Sequence, residues 1–112
     1  MKKAYDVLLF AAAHRQPVAA VYDDLPRVFC PYVLGRKSGR LRALCYQVGG
    51  GSHRGLANAA GFGWRCIAVD KLSQVELCGG AWHTVPRSES QTCVDDIDYD
   101  VAAQPEDPQN GQ

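Results

Sequence analysis

A chain of 112 residues has room for one compact domain, which excludes multidomain enzymes and doubly wound α/β architectures. Its 46% apolar content suits a globular protein, although a core of this size is thin, with about two thirds of the unfolded surface withdrawn from water. Twelve basic and twelve acidic residues cancel overall. Their distribution does not cancel: every base lies at or before Arg87, where bases outnumber Asp6, Asp23, Asp24, Asp70 and Glu76 by seven, and the seven acids from Glu89 onward stand without a base. A basic body with an acidic tail points to a polyanionic partner or to an intramolecular mask. Tails of this kind also serve simply to keep a chain soluble.

Residues 3–14 are rich in Ala and Leu, contain no Gly or Pro, and stop ahead of Pro17, which predicts one N-terminal helix. PVAAVYD and PRVFCPYVLG follow as two extended runs, joined as a hairpin through Asp23, Asp24, Leu25 and Pro26. Arg36, Lys37, Ser38 and Gly39 supply the next turn, and residues 40–48 read as a third strand. Residues 49–63 hold six glycines in fifteen positions and read as a mobile loop. A fourth strand over 64–69, a tight turn at Asp70 and Lys71, a fifth strand over 72–77 and a short sixth over 81–85 complete the body. The expected fold is mainly β with one N-terminal helix: a small, strongly bent antiparallel sheet or barrel of five to six strands within residues 1–87. Residues 88–112 form a separate acidic segment, extended and then disordered. Within it Ile97, Tyr99 and Val101 alternate with Asp96, Asp98 and Asp100, a pattern able to dock on an exposed sheet edge of its own body or of a second copy and to compete there with an anionic ligand.

Five cysteines, Cys30, Cys45, Cys66, Cys78 and Cys93, are widely spaced without a Cys-x-x-Cys pair. Their odd number, with no signal peptide, reads as reduced apolar filler in a cytoplasmic protein. The longest apolar run, VLLFAAA, falls far short of the ~20 residues that span a bilayer, so no membrane partner is expected. His14, His53 and His83 lie too far apart for metal-ligand spacing. The glycine-rich loop lacks the Gly-Lys-Ser/Thr ending of a phosphate cradle. Asp96, Asp98 and Asp100 imitate the start of a calcium loop, but Val101 stands where glycine is needed, and Pro105 and Pro108 intrude. Nothing assembles a nucleophile, a base and an oxyanion site, so neither an enzyme nor a cofactor is expected.

The placement of arginine within strands stands out. Arg40, Arg42, Leu44 and Tyr46 share one face of the third strand, and Arg65 alternates between Trp64 and Cys66 on the fourth. Planar bidentate donors beside a stacking ring suit phosphates and unpaired bases. Solvated strand edges, or pairs with the tail carboxylates, would place arginine in the same positions.

The order of these features resembles the WYL domain over roughly residues 8–78. The residues that carry the likeness are AAAHRQPVAAVYDD with Tyr22, then Arg27, Val28, Pro31, Tyr32 and Leu34, and finally Arg65, Ile67, Val69, Asp70, Lys71 and Leu72. The family's naming triplet falls on Leu41, Arg42 and Ala43 and is absent as such. The resemblance implies an Sm-like β-barrel that senses a nucleotide or nucleic acid, a module usually found inside bacterial transcription regulators. Arg65 and Lys71 carry over as its basic site, with Arg42 replacing the family's tyrosine. One preceding helix is too short for a helix-turn-helix, so a free-standing module is expected. The expected function is therefore non-enzymatic binding of a nucleotide or single-stranded nucleic acid, with Arg40, Arg42, Arg65 and Lys71 supplying charge and Tyr46 a stacking face. The alternative is an interaction or homodimerisation module that uses an exposed sheet edge and the acidic strand.

Overall fold

The computed structural model describes residues 3–50, 63–85 and 91–103. Helix α1 (Ala4–His14) ends where Arg15 turns left-handed (φ 51°) and its N–H reaches back to Ala11 and Ala12. Leu8, Ala11 and Ala12 are its buried face. Strands β1 (Val18–Tyr22) and β2 (Leu25–Lys37) then form a hairpin with only Asp23 and Asp24 between them, both at positive φ. That is the mirror-image turn whose twist matches paired strands. Ser38 and Gly39 repeat the device between β2 and β3 (Arg40–Gly50). Gly49 and Gly50, expected in a loop, instead extend β3 opposite Val28 and Arg27. The rest of that loop, residues 51–62, lies outside the described residues.

Strand β4 (Gly63–Ala68) passes through a 3-10 turn (Val69–Lys71) into β5 (Ser73–Leu77). The strand order is β4-β3-β2-β1-β5, antiparallel throughout. β4 and β5 are thus the two ends of the sheet, yet a three-residue turn joins them. The sheet has to curl for that link to reach, and the Tyr22 hydroxyl on β1 accepts the Ala68 N–H of β4 at 3.1 Å across the curl. No ladder joins β4 to β5 among the described residues, so the fold is an open six-stranded sheet and not a closed barrel.

The sixth strand is not where the composition placed it. Residues 81–85 carry no ladder; they are held by Tyr32, whose hydroxyl donates to the His83 carbonyl and accepts the Val85 N–H. Gly80, at φ 116°, bends the chain after β5 in a backbone conformation open to glycine. Strand β6 (Asp96–Asp100) is instead the acidic segment, paired antiparallel with Val33, Leu34, Gly35 and Arg36 of β2. β2 therefore carries β3 along one edge, and β1 followed by β6 along the other. Pro31, with no N–H to donate, falls in the interval between those two partners.

Cys66 on β4 and Cys93 are joined by a disulfide, with Cα atoms 5.6 Å apart, which corrects the expectation of five reduced thiols. Spacing along the chain carries no information about this pair, because folding brings together residues 27 apart. The cytoplasmic reading rested on reduced cysteines and loses that support. Among the described residues no helix is long and apolar enough to cross a membrane.

The seating of β6 is polar. Asp98 Oδ2 accepts the Tyr5 hydroxyl at 2.6 Å and meets Arg36 Nη1 at 3.0 Å. Burial first, and then the hydrogen bond to Asp98, hold the Tyr5 hydroxyl above its ordinary pKa of 10. The folded chain thus favours the neutral phenol, whose contribution is complete below pH 10 and is lost as pH rises above it. Tyr5→Phe is expected to flatten the alkaline limb of the stability curve above pH 10, read from urea transitions at stepped pH. An unchanged slope would show that Tyr5 does not couple to β6.

Candidate functional site

Cross-strand register assigns the faces. Arg42, Leu44 and Tyr46 of β3 lie opposite Ala68, Cys66 and Trp64 of β4, and Ala43 and Cys45 lie opposite Ile67 and Arg65. Directly paired residues share a face, so Arg65 projects on the face opposite Tyr46. Tyr46 meets Trp64 edge-on at 5.2 Å, and Trp64 meets Tyr32 at 5.0 Å, with Trp82 on the far side of Tyr32 at 5.1 Å. That ring cluster, which takes in Trp82 of the segment 81–85, commits Tyr46 to packing. Arg40 and Lys71 are exposed near the 3-10 turn, with Arg40 Nη1 3.8 Å from Asp70, and Arg42 sits half-buried one pair further along β3. The five residues singled out from sequence therefore divide: Arg40, Arg42 and Lys71 at one end of β3, Tyr46 at the other, and Arg65 behind.

The Arg65 face holds a group that the sequence reading did not single out. Arg27 is 4% exposed, Gln47 fully buried and Arg65 9% exposed. Gln47 and Arg65 are diagonal neighbours on β3 and β4, and Gln47 lies opposite Phe29, two residues along β2 from Arg27. Arg27 Nη1 points to Gln47 Oε1 at 3.5 Å, so Arg27, Gln47 and Arg65 form a row across three adjacent strands. Arg65 Nη1 donates to the Trp64 carbonyl at 3.0 Å, and Gln47 Nε2 donates to the Gly49 carbonyl at 3.1 Å.

Arg27 is held loosely for a buried cation. Nε donates to the Tyr22 carbonyl at 3.2 Å, the guanidinium lies 5.1 Å from the Tyr22 ring centroid, and Nη2 stands 3.8 Å from Asp23, a carboxylate 54% exposed in the β1–β2 turn. These distances lie at the long end for charge-assisted contacts, which close to ~2.7–2.9 Å when optimal. The signal was present in the sequence: in the run LPRVFC, Arg27 shares strand parity with Phe29 and so must point inward with it.

Open clefts lie against the sheet among the described residues. One, of about 290 Å³, runs beside β1 past Ala19, Val21, Val28 and Arg27 with Glu76 at its rim. Another, of about 320 Å³, lies between α1 and β5 among Val7, Phe10 and Leu77. No group of three His, Cys, Asp or Glu side chains gathers among the described residues. Comparison with family models, with curated proteins and with solved structures finds no match to the chain.

Proposed function

We propose that the protein is a non-enzymatic sensing module that binds an anionic ligand, a nucleotide or single-stranded nucleic acid, where Arg27 lines the cleft beside β1, with Gln47 and Arg65 in the row behind it. The observation that carries the reading is Arg27, a guanidinium almost wholly buried whose nearest carboxylate among the described residues is 3.8 Å away and half in solvent. Burying a cation costs several kcal/mol unless close partners compensate, and a phosphate offers two oxygens to the planar fork. Asp23 is the group that such a ligand displaces. Arg40, Arg42 and Lys71 add a basic strip at the far end of β3 that steers a polyanion without holding it.

The strand order, with the terminal strands β4 and β5 linked by a 3-10 turn, supports relating this open, curled sheet to the Sm-like fold that the WYL resemblance implies. Under that reading Arg65 keeps its role, Arg27 joins it, and Tyr46 has none.

The test is titration of a labelled oligothymidylate and of a nucleoside triphosphate at two salt concentrations. The intact chain is expected to bind with an affinity that falls as salt rises. Arg27→Lys, which keeps the charge and loses the fork, and Arg65→Gln should each weaken binding about tenfold, whereas Arg40→Gln should leave it within about twofold. Absence of binding at low salt, or equal binding by Arg27→Lys and the intact chain, would overturn the proposal. A second reading, an interaction module, is favoured by one observation: an acidic strand already occupies the β2 edge.

A further inference from the structure

The segment from Cys93 to Asp100 crosses the sheet as a strap. It starts at the disulfide on β4, passes Val94 and Asp96 directly over Gly35 of β2, donates the Asp95 N–H to the Arg36 carbonyl at 2.9 Å, and ends in β6 on the far edge of β2. The slot over Gly35 is shaped for this segment, since an added Cβ there would lie 2.7 Å from the Val94 side chain. Yet β6 itself is seated shallowly. Asp96, Ile97 and Asp98 are exposed, with Ile97 at 45%, and burial is confined to the flanking Cys93, Val94 and Val101. A strand with so little apolar burial opens locally at low cost. The covalent anchor therefore lies outside the ladder, three residues before it, and its Cys66 end is exposed.

We infer that the β2 edge over Val33, Leu34, Gly35 and Arg36 is an interaction surface for the strap of a second copy of this chain, and that the Cys66–Cys93 bond keeps each strap on its own sheet. The inference does not rest on the anion-site reading. A dithiol reductant opens the latch. Its thiolate attacks the sulfur of Cys66, the exposed residue of the pair, and Cys93 leaves as a thiolate that takes up a proton. The reductant's second thiol then displaces Cys66, closing the reductant's own disulfide and leaving Cys66 to take up the second proton. Two electrons pass to the protein. Once released, the strap makes the same backbone pairs and the same Asp98 contacts with Tyr5 and Arg36 on a neighbour as it made at home, which is why exchange of an identical element is a low-cost route to a dimer.

The experiment uses two full-length chains in a Cys78→Ser background, one carrying Cys66→Ser and the other Cys93→Ser. They are mixed at high concentration and mildly oxidised. Neither can close its own latch, so a covalent heterodimer linked through Cys66 of one and Cys93 of the other forms only if straps exchange. That product, as the main band on a non-reducing gel and confirmed by peptide mapping, is expected. Its absence would overturn the inference. Should either variant lose its near-ultraviolet circular dichroism, the reduced parent chain replaces it: a shift to twice the mass by light scattering on adding dithiothreitol supports exchange, and a monomer at every concentration overturns it.

Discussion

Gly35→Val is expected to expel the strap from β2 while leaving the rest of the sheet paired. Val94 and the Asp96 carbonyl pass so close to Gly35 that a Cβ has no room, and one of the obstacles is backbone, which cannot rotate aside. Overpacking of a tight site costs about 1–3 kcal/mol when neighbours can shift and more when they cannot. Here the chain has an escape, because β6 can leave, and the free energy that seats the strap therefore sets the ceiling on the loss. About 1 kcal/mol is expected for valine, the low end of that range because β6 is seated shallowly, and somewhat less for alanine, read from urea transitions. Hydrogen exchange should show fast amides over Asp96–Asp100 together with unchanged protection in β3. Undiminished stability of Gly35→Ala would mean that the strap does not run over Gly35.

Opening the Cys66–Cys93 disulfide is the second large effect. The two residues lie 27 apart, and the chain-entropy model assigns a loop of that length about 3.5 kcal/mol of stabilisation through the unfolded state. Chemical denaturation with and without dithiothreitol should differ by about 3 kcal/mol, and the Cys66→Ala, Cys93→Ala double variant should match the reduced chain whatever the redox state. A difference under about 0.5 kcal/mol would show that the bond does not constrain the unfolded chain. Cys45 provides the internal contrast: burial pushes its thiol pKa far up, so it stays protonated and inert while Cys66 exchanges.

Where period and punctuation carry the information, the sequence reads well. The Ala/Leu run before Pro17 yields α1, extended runs bounded by turn residues yield β1 to β5, and the isoleucine, tyrosine and aspartate alternation marks β6. Three features could not be read this way, each because it depends on contacts between distant segments. Alternation along β4 shows that Arg65 and Trp64 oppose one another but not which of them joins the Tyr46 face; the pairing of Arg65 with Cys45 decides it. The cysteine pair arises only once residues 91–96 are drawn back across the sheet. Residues 81–85 have a strand-like composition, yet their backbone groups turn to the Tyr32 hydroxyl, and propensity alone does not foresee that. The division of the chain near residue 87 and the tail beyond Ala103 fall outside the described residues.

The place of β2 has a kinetic consequence. It borders β1, β3 and β6, and the first two of these are its immediate neighbours in sequence, tied to it by turns of two residues each. The β1–β2–β3 meander can therefore assemble from contacts close along the chain, whereas the pairing of β5 with β1 joins Val18 to Leu77 and must wait for β4 to be laid down. Early folding events should thus be concentrated in residues 18–48, with mutations there slowing refolding. Substitutions in β5 and β6 should act almost entirely by hastening unfolding.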